Sequence, residues 1–440
     1  MARRRTPRPS RVRVRMYQVG FGDCFLLSFE YATALDDGRS ERHVLVDFGS
    51  ARAPGRTGAR LLPQVAQLIQ QHANGQLDVI VATHRHRDHI DGFGNEQAAA
   101  ILDTLHPRLV VRPWTDDPTL PADARGPRLA ADSHRFAAGL REGQQFAASV
   151  AELAGAVDAR SLRGEVAALA LDQLPNRDAI DWLEGWAKKA AGVYVSAGGD
   201  SRIQEFVPGI GARVLGPPTV EQEPAIVGER ANDPEYWLAL QAQLPQPAAA
   251  LAAPGRDGDA PPPDVRPGPV AWLVDRLEHQ RLGSLLRIVR TLDDALNNTS
   301  VILLVDAGDR RLLFPGDAQI ENWTWALKDA PDHEDLARLL AGVDVYKVGH
   351  HGSRNATPRS LFNLWGEDPD TGRPMTALMS TLSGVFGKSE ATRVPRSTLV
   401  AALDRRMDLI TTDGLLAGQR FVEIEASTAG AQPFVRVGAP

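Results

Sequence analysis

Along residues 11–19 charged and apolar side chains alternate (Arg11, Val12, Arg13, Val14, Arg15), the two-residue period of a strand with one buried face. A Gly-rich turn at 20–23 leads into an apolar run at 24–29. A third run, 43–48, ends at Gly49. The period then changes. Over 58–74, Leu61, Leu62, Val65, Leu68 and Ile69 share one helical face. A short continuous apolar run at 77–83 predicts a strand buried on both sides. From 117 to 190 the pattern is helical and Ala-rich. Phe136, Leu140, Phe146, Val150 and Leu153 form one stripe, and 181–189 reads as amphipathic. Residues 245–269 hold eight prolines and no period, as a linker or exposed loop does. Helical character resumes at 271–295, and strands return at 300–305 and 311–314. Strand and helix then alternate to near the end. No internal repeat is present. The organisation is a β-rich first half and a β-plus-α second half, parted by a long, mostly helical insertion.

Composition narrows this picture only slightly. With 440 residues, one large or two modest domains are expected. Hydrophobic content of 43% and charged content of 24% are ordinary for a globular chain. A net charge of -6 excludes a uniformly basic nucleic-acid coat but leaves room for a local basic groove. Cys24 is the single cysteine, so no intramolecular disulfide forms and a reducing compartment is expected; it reads as a small buried strand residue. No apolar run approaches the ~18 residues of a membrane span. Residues 1–15 carry seven arginines and no acid, without a signal-type apolar stretch after them. They read as a solvated arm running into the first strand, or as a contact for nucleic acid or an acidic partner. A cytoplasmic protein without a membrane contact is the expectation.

The chemistry concentrates where apolar strands stop. After 77–83 come His84, His86, Asp88 and His89, a cluster of the nitrogen and oxygen donors that borderline-soft divalent ions prefer. The run 312–317 stops at Pro-Gly and presents Asp317. The run 344–353 stops at His350, His351, Gly352 and Ser353. Open sheets place ligands at such strand ends. Two metals about 3.5–4 Å apart need a shared carboxylate. Asp317 is the natural bridge, with His84 and His86 on one ion and Asp88, His89 and His350 on the other. Arg85, Arg87, Lys347 and Ser353 are candidates for holding substrate, each also readable as loop charge, strand residue or helix cap. His43, His72, His106, His134, His279 and His333 lack partners at ligand spacing.

These motifs resemble the metallo-β-lactamase fold superfamily of binuclear metallohydrolases. Within it, residues 19–27, 45–49, 214–218, 297–304, 312–317 and 347–353 are similar to the hydrolase domain of the ComEC/Rec2 DNA-uptake proteins. The resemblance covers roughly 12–116, 200–218 and 296–425 and implies an α/β (α+β) four-layer αββα sandwich. It divides the chain into a basic flexible arm (1–11), a hydrolase domain (12–116 and 192–428), a helical insertion (117–191) and a second insertion (219–295) containing the Pro-rich loop 245–269. It implies two divalent metal ions, zinc first and manganese as the alternative. Asp47 carries over as a site-shaping acid and Asp23 as a site-loop acid; His351 and Asn298 stand as further metal or outer ligands. Most members of the superfamily place another His about twenty residues before the bridging Asp. Here that region reads Leu296, Asn297, Asn298, Thr299, Ser300. The 391–395 stretch also lacks the His that the ComEC-like branch often has before its Pro.

Three functions remain open on this reading. The first is a phosphodiesterase or nuclease that uses a metal-bridging hydroxide, with Asp88 both ligating and orienting it. The second is a lactone, thioester or small phosphoester hydrolase on the same site. The third is a metal-stabilised scaffold or sensor whose helical insertion binds a protein partner.

Overall fold

The computed structural model describes residues 6–54, 60–119, 137, 140, 176–227, 293–355, 357–366, 375–385, 393–416 and 418–437. The predicted stripe at 136–153 falls largely outside the described residues, and the Pro-rich loop at 245–269 and the helical pattern at 271–292 fall wholly outside them.

Among the described residues the strands are β1 (Arg11–Tyr17), β2 (Cys24–Glu30), β3 (Glu41–Phe48), β4 (Val79–Val81), β5 (Leu109–Pro113), β6 (Gly192–Val195), β7 (Gly211–Gly216), β8 (Ile302–Ala307), β9 (Arg310–Phe314), β10 (Val345–Lys347), β11 (Thr376–Met379), β12 (Asp408–Thr411), β13 (Phe421–Ser427) and β14 (Val435–Arg436). They form two mixed sheets, ordered β14-β13-β1-β2-β3-β4-β5-β6 and β12-β11-β10-β9-β8-β7. In the first, pairing is antiparallel up to β3 and parallel from β3 to β6. In the second, β9 through β12 run parallel and β7, β8 and β9 antiparallel.

Side-chain alternation divides each strand between two cores. Val12, Val14, Phe25, Leu27, Val44 and Val46 of the first sheet share one buried cluster with Leu303, Val305, Leu312, Phe314 and Val345 of the second. The opposite faces are covered by helices. Leu26, Leu45 and Ile80 pack with Leu61, Val65 and Ile69 of α1 (Leu61–His72), Ile90 and Phe93 of α2 (Arg87–Gly94), Ala98 and Leu102 of α3 (Glu96–Asp103), and Leu183 and Trp186 of α4 (Arg177–Lys189). On the second sheet Ile302, Leu304, Leu313 and Tyr346 pack with Trp323, Leu336, Leu340, Leu361, Leu399 and Leu403.

The structure differs from the sequence pattern in two places that bear on the site. Residues 192–195 form β6, an edge strand that the Ala-rich background obscures. The His-rich segment is a loop only as far as His86. Arg87 opens α2, so Asp88 and His89 ride on its first turn, where an acid is favoured by the free N–H groups and the helix dipole.

Candidate metal centre

Four strand ends and one turn converge on a buried polar cluster. Asp23 precedes β2, Asp47 ends β3, Thr83 and His84 follow β4, Asp317 follows β9, and Lys347 ends β10. Turn and helix are sewn together by backbone bonds. Asp23 N–H donates to Asp88 O at 2.8 Å, and Gly49 N–H donates to Asp23 O at 3.0 Å. A Cβ at Gly49 would lie 2.4 Å from the Asp88 backbone, so only glycine lets β3 approach α2. Among the described residues six non-glycines have positive φ, and three of them, Asp47 (φ 56), His350 (φ 42) and His351 (φ 50), lie here. Such strain persists only where surrounding bonds over-determine it.

Those bonds are visible. Asp47 Oδ1 accepts from Thr83 N–H at 2.7 Å, and Oδ2 accepts from the Thr83 hydroxyl at 2.7 Å. His89 Nδ1 lies 2.7 Å from Asp47 Oδ2. A carboxylate accepts, so Nδ1 carries a proton, and Nε2 is the nitrogen that faces the cluster. That Nε2 lies 3.1 Å from Asp317 Oδ2. His351 repeats the device: Nδ1 donates to Ser380 O at 3.0 Å, leaving Nε2 turned toward Asp88 Oδ2 at 3.0 Å and Asp317 Oδ2 at 3.5 Å. Tying the far nitrogen in this way is how proteins aim imidazoles at metals.

Asp23, His89, Asp317 and His351 each offer a ligand atom, and these atoms lie within 4.8 Å of one another in a fully buried setting. The charge balance points the same way. Asp23, Asp47, Asp88 and Asp317 face one ammonium, Lys347, whose Nζ pairs with Asp23 and lies 3.2 Å from Asp317 Oδ1 and 2.8 Å from Gly316 O. Burial opposes the charge on Asp23, Asp88, Asp317, His89, His351 and Lys347, yet the neighbours prevail at all but Asp23. Asp317 is held well below the usual carboxylate range by His89, Lys347 and His351, and Asp88 is lowered by His89 and His351. His89 is raised well above the ordinary imidazole value by Asp317, Asp47 and Asp88; His351 is raised by Asp317, Asp23 and Asp88. Lys347 is raised by Asp23 and Asp317. At Asp23 burial wins and its carboxyl rises despite Lys347. A cluster that favours extra positive charge this strongly, with two aimed imidazole nitrogens and two carboxylates, fits a divalent cation that takes the place of their Nε2 protons.

The other sequence candidates fall around this group. Asp88 is its most open acid, 14% exposed at the side chain. His84 Nε2 lies 3.0 Å from His86 Nδ1, beside His89 with ring centroids 4.1 Å apart. His350 turns its backbone N–H to Asp317 Oδ1 at 3.0 Å, while its buried Nδ1 has no hydrogen-bond partner among the described residues. Asn298 donates to Glu321 Oε2 at 3.4 Å and receives Asn322 Nδ2 at 3.4 Å, outside the four-residue group. Arg85 pairs with Asp116, Arg87 pairs with Asp91 at 3.3 Å, and the Ser353 hydroxyl donates to Asn355 Oδ1 at 2.7 Å. Thr83, Ser380 and Asp293, whose Oδ1 lies 3.5 Å from His86 Nε2, escaped sequence reading. Of these only Thr83, adjoining His84, left a signal there. His43 and His72 are tied to Ser28 Oγ and Tyr17 OH, each at 2.9 Å, away from the cluster.

No family model matches the chain. Over 67 residues it is 36% identical to Recombination protein 2 of Haemophilus influenzae. The matched stretch covers 15% of this chain and 7% of that protein, so the chain spans a small part of that relative.

Proposed function

We propose that this protein is a metal-dependent hydrolase of the metallo-β-lactamase type that cleaves phosphodiesters in nucleic acid. The observation that carries this reading is the buried Asp23–His89–Asp317–His351 group at the ends of parallel strands. The part-length similarity to a recombination protein supports the nucleic-acid substrate. One core shared by both sheets and two helix-covered outer cores support the four-layer αββα order. Among the described residues no helix is long and apolar enough to cross a membrane.

A bound zinc or manganese ion would acidify water and neutralise charge on the phosphoryl oxygens. His89 and His351 would hold it through their Nε2 atoms, Asp23 and Asp317 through carboxylate oxygens. Asp88, kept ionised and nearest to solvent, accepts a hydrogen bond from the attacking water and orients it. Lys347 keeps Asp23 and Asp317 in place by pairing with both. Water oxygen adds to phosphorus, the bond to the leaving oxygen breaks, and the water proton ends on that oxygen or in solvent. The arginines of β1 are paired with acids of the same sheet. Arg13 pairs with Glu425 at 2.9 Å and Glu30 at 3.3 Å, Arg15 with Glu423, and Arg11 with Glu425 at 3.4 Å.

The test is cleavage of single- and double-stranded DNA and RNA with zinc or manganese, beside carboxyl-ester and lactone chromogens. The expected result is phosphodiester cleavage that chelation abolishes. Turnover of esters or lactones without nucleic-acid cleavage would move the chain to the carbonyl-hydrolase reading.

A further inference from the structure

Beside the edge strand of the second sheet, β7, lies an open cavity of about 350 Å³ that no part of the proposed chemistry uses. That volume suits a small ligand. Buried Leu215, Ala330 and Leu336, all of the outer core, give it an apolar lining. The rest of its wall can recognise something. Trp325 is half-buried and opens a π-helical turn, Trp325–Asp329, that continues the helix Ile320–Thr324. Such turns recur at functional sites. Among the described residues the Trp325 indole N–H has no hydrogen-bond partner, although the ring lines the cavity. Val214 points into the core between the sheets and Leu215 into the outer core, so strand alternation puts Arg213 on the outer side with Leu215. The Arg213 side chain is 55% exposed. Among the described residues its guanidinium pairs only with Asp306, at 3.8 Å, and Asp306 is held more closely by Arg311, at 2.7 Å. Asp332 adds a carboxylate to the wall. The edge itself is closed to a further strand, because Gly198 N–H donates to Val214 O and Ala197 N–H to Pro217 O, each at 2.8 Å. The cavity therefore suits a compact, flat molecule and not an extended peptide.

Resting on the nuclease reading, we propose that this cavity binds an unpaired nucleobase together with its phosphate. The Trp325 indole offers a face on which any base stacks. The spare donors of Arg213 take the phosphate. The Asp332 carboxylate accepts from an amino group on the base edge. The fold ties the cavity to the metal centre. Gly216 at the end of β7 pairs with Ile302 of β8, and the next residue, Leu303, pairs with Phe314 of β9, just before Asp317. Two strand spacings, roughly 10 Å, separate β7 from β9. The chain that leaves the centre at Asp317 also runs directly on to Trp325. A strand anchored by one base is thereby held beside the centre.

Fluorescence anisotropy of a labelled phosphorothioate DNA strand, which resists cleavage, on metal-loaded full-length protein tests this, with the matching duplex in parallel. Trp325→Ala should weaken single-strand binding about 10-fold. Its duplex affinity and its turnover of bis(p-nitrophenyl) phosphate, which has no base, should stay at the wild-type level. Trp325→Phe should restore most of the loss. Arg213→Gln should weaken the single strand and lower the slope of log affinity against log salt by about 0.7. Adenosine and cytidine monophosphates serve as competitors: displacement of the strand by either one assigns the cavity to a free nucleotide, and no displacement assigns it to a base within a strand. Unchanged single-strand affinity in both variants, with a wild type that binds and cleaves DNA, would overturn the cavity's role and leave the nuclease reading intact. If Trp325→Ala also loses chromogen turnover, the exposed Arg213→Gln decides alone, and an unchanged affinity and slope there would overturn the proposal. A wild type that cleaves no nucleic acid would instead overturn the nuclease reading itself.

Discussion

At the start of β4, Asp78 lies fully buried and is met by Arg39, by Arg108 at 3.2 Å, by Arg42 at 3.7 Å and by the His43 N–H at 2.9 Å. At the other end of the same strand, Asp47 and Asp317 are just as buried. There four carboxyl groups share one lysine and two imidazoles whose hold on a proton they strengthen. Both ends take carboxylates out of water, at a cost that partners must offset. At the first end the chain supplies those cations itself, and the result is a closed, structural network. At the second end the balance is left open, and the two aimed imidazole nitrogens show where the missing charge belongs. Burial alone therefore does not separate a structural acid from a functional one; the accounting of cations around it does.

The contrast breaks most sharply at Asp317. Replacing it with Asn should lower metal-dependent turnover about 1,000-fold or more, about 4 kcal/mol of barrier. In chelator the same variant should also melt lower than the wild type, because the buried Asp317 carboxylate partners His89, Lys347 and His351. Asp78→Ala should act on stability and leave turnover in place. It strands three arginines and should cost about 3–5 kcal/mol in urea denaturation, with metal content unchanged. Next in size, zinc at about 100 times its dissociation constant should stabilise the wild type by about 2.7 kcal/mol, an increment that His351→Ala loses.

The smallest effect concerns pH at the Asp78 end. Burial first, then Arg15, Arg39 and Arg42, push His43 down to about 3. An unfolded histidine titrates near 6.5. Between these values the unfolded chain binds a proton that the folded chain refuses, so stability is full above about pH 6.5 and falls as pH drops toward the folded value. From about pH 6.5 to about pH 5 the loss should be roughly 1.5 kcal/mol. His43→Gln should flatten that slope in denaturation curves taken at each pH.

How much of this was legible in the sequence follows from what each feature depends on. The apolar runs that stop at His84, Asp317 and His350 are written in residue type, because parallel strands buried on both faces need continuous apolar side chains. Asp23 and Asp47 drew attention only through the family resemblance. Which of His350 and His351 enters the four-residue group depends on two consecutive left-handed residues that are not glycine, a conformation no residue type announces. The facing of Lys347 depends on the register of β10, settled only when Val345 falls in the core between the sheets. Asp293 reaches His86 from a stretch with no ligand motif around it, so no local pattern marks it. The strand β6 is hidden because Ala-rich surroundings mimic a helix period and its pairing with β5 is tertiary.

The most direct test of the central claim is the metal content of the purified full-length protein, measured by elemental analysis after zinc or manganese loading and gel filtration, for the wild type beside Asp317→Asn. The account predicts at least one divalent ion per chain in the wild type and a clear loss in the variant. Equal content in the two proteins, or none in the wild type, would contradict it.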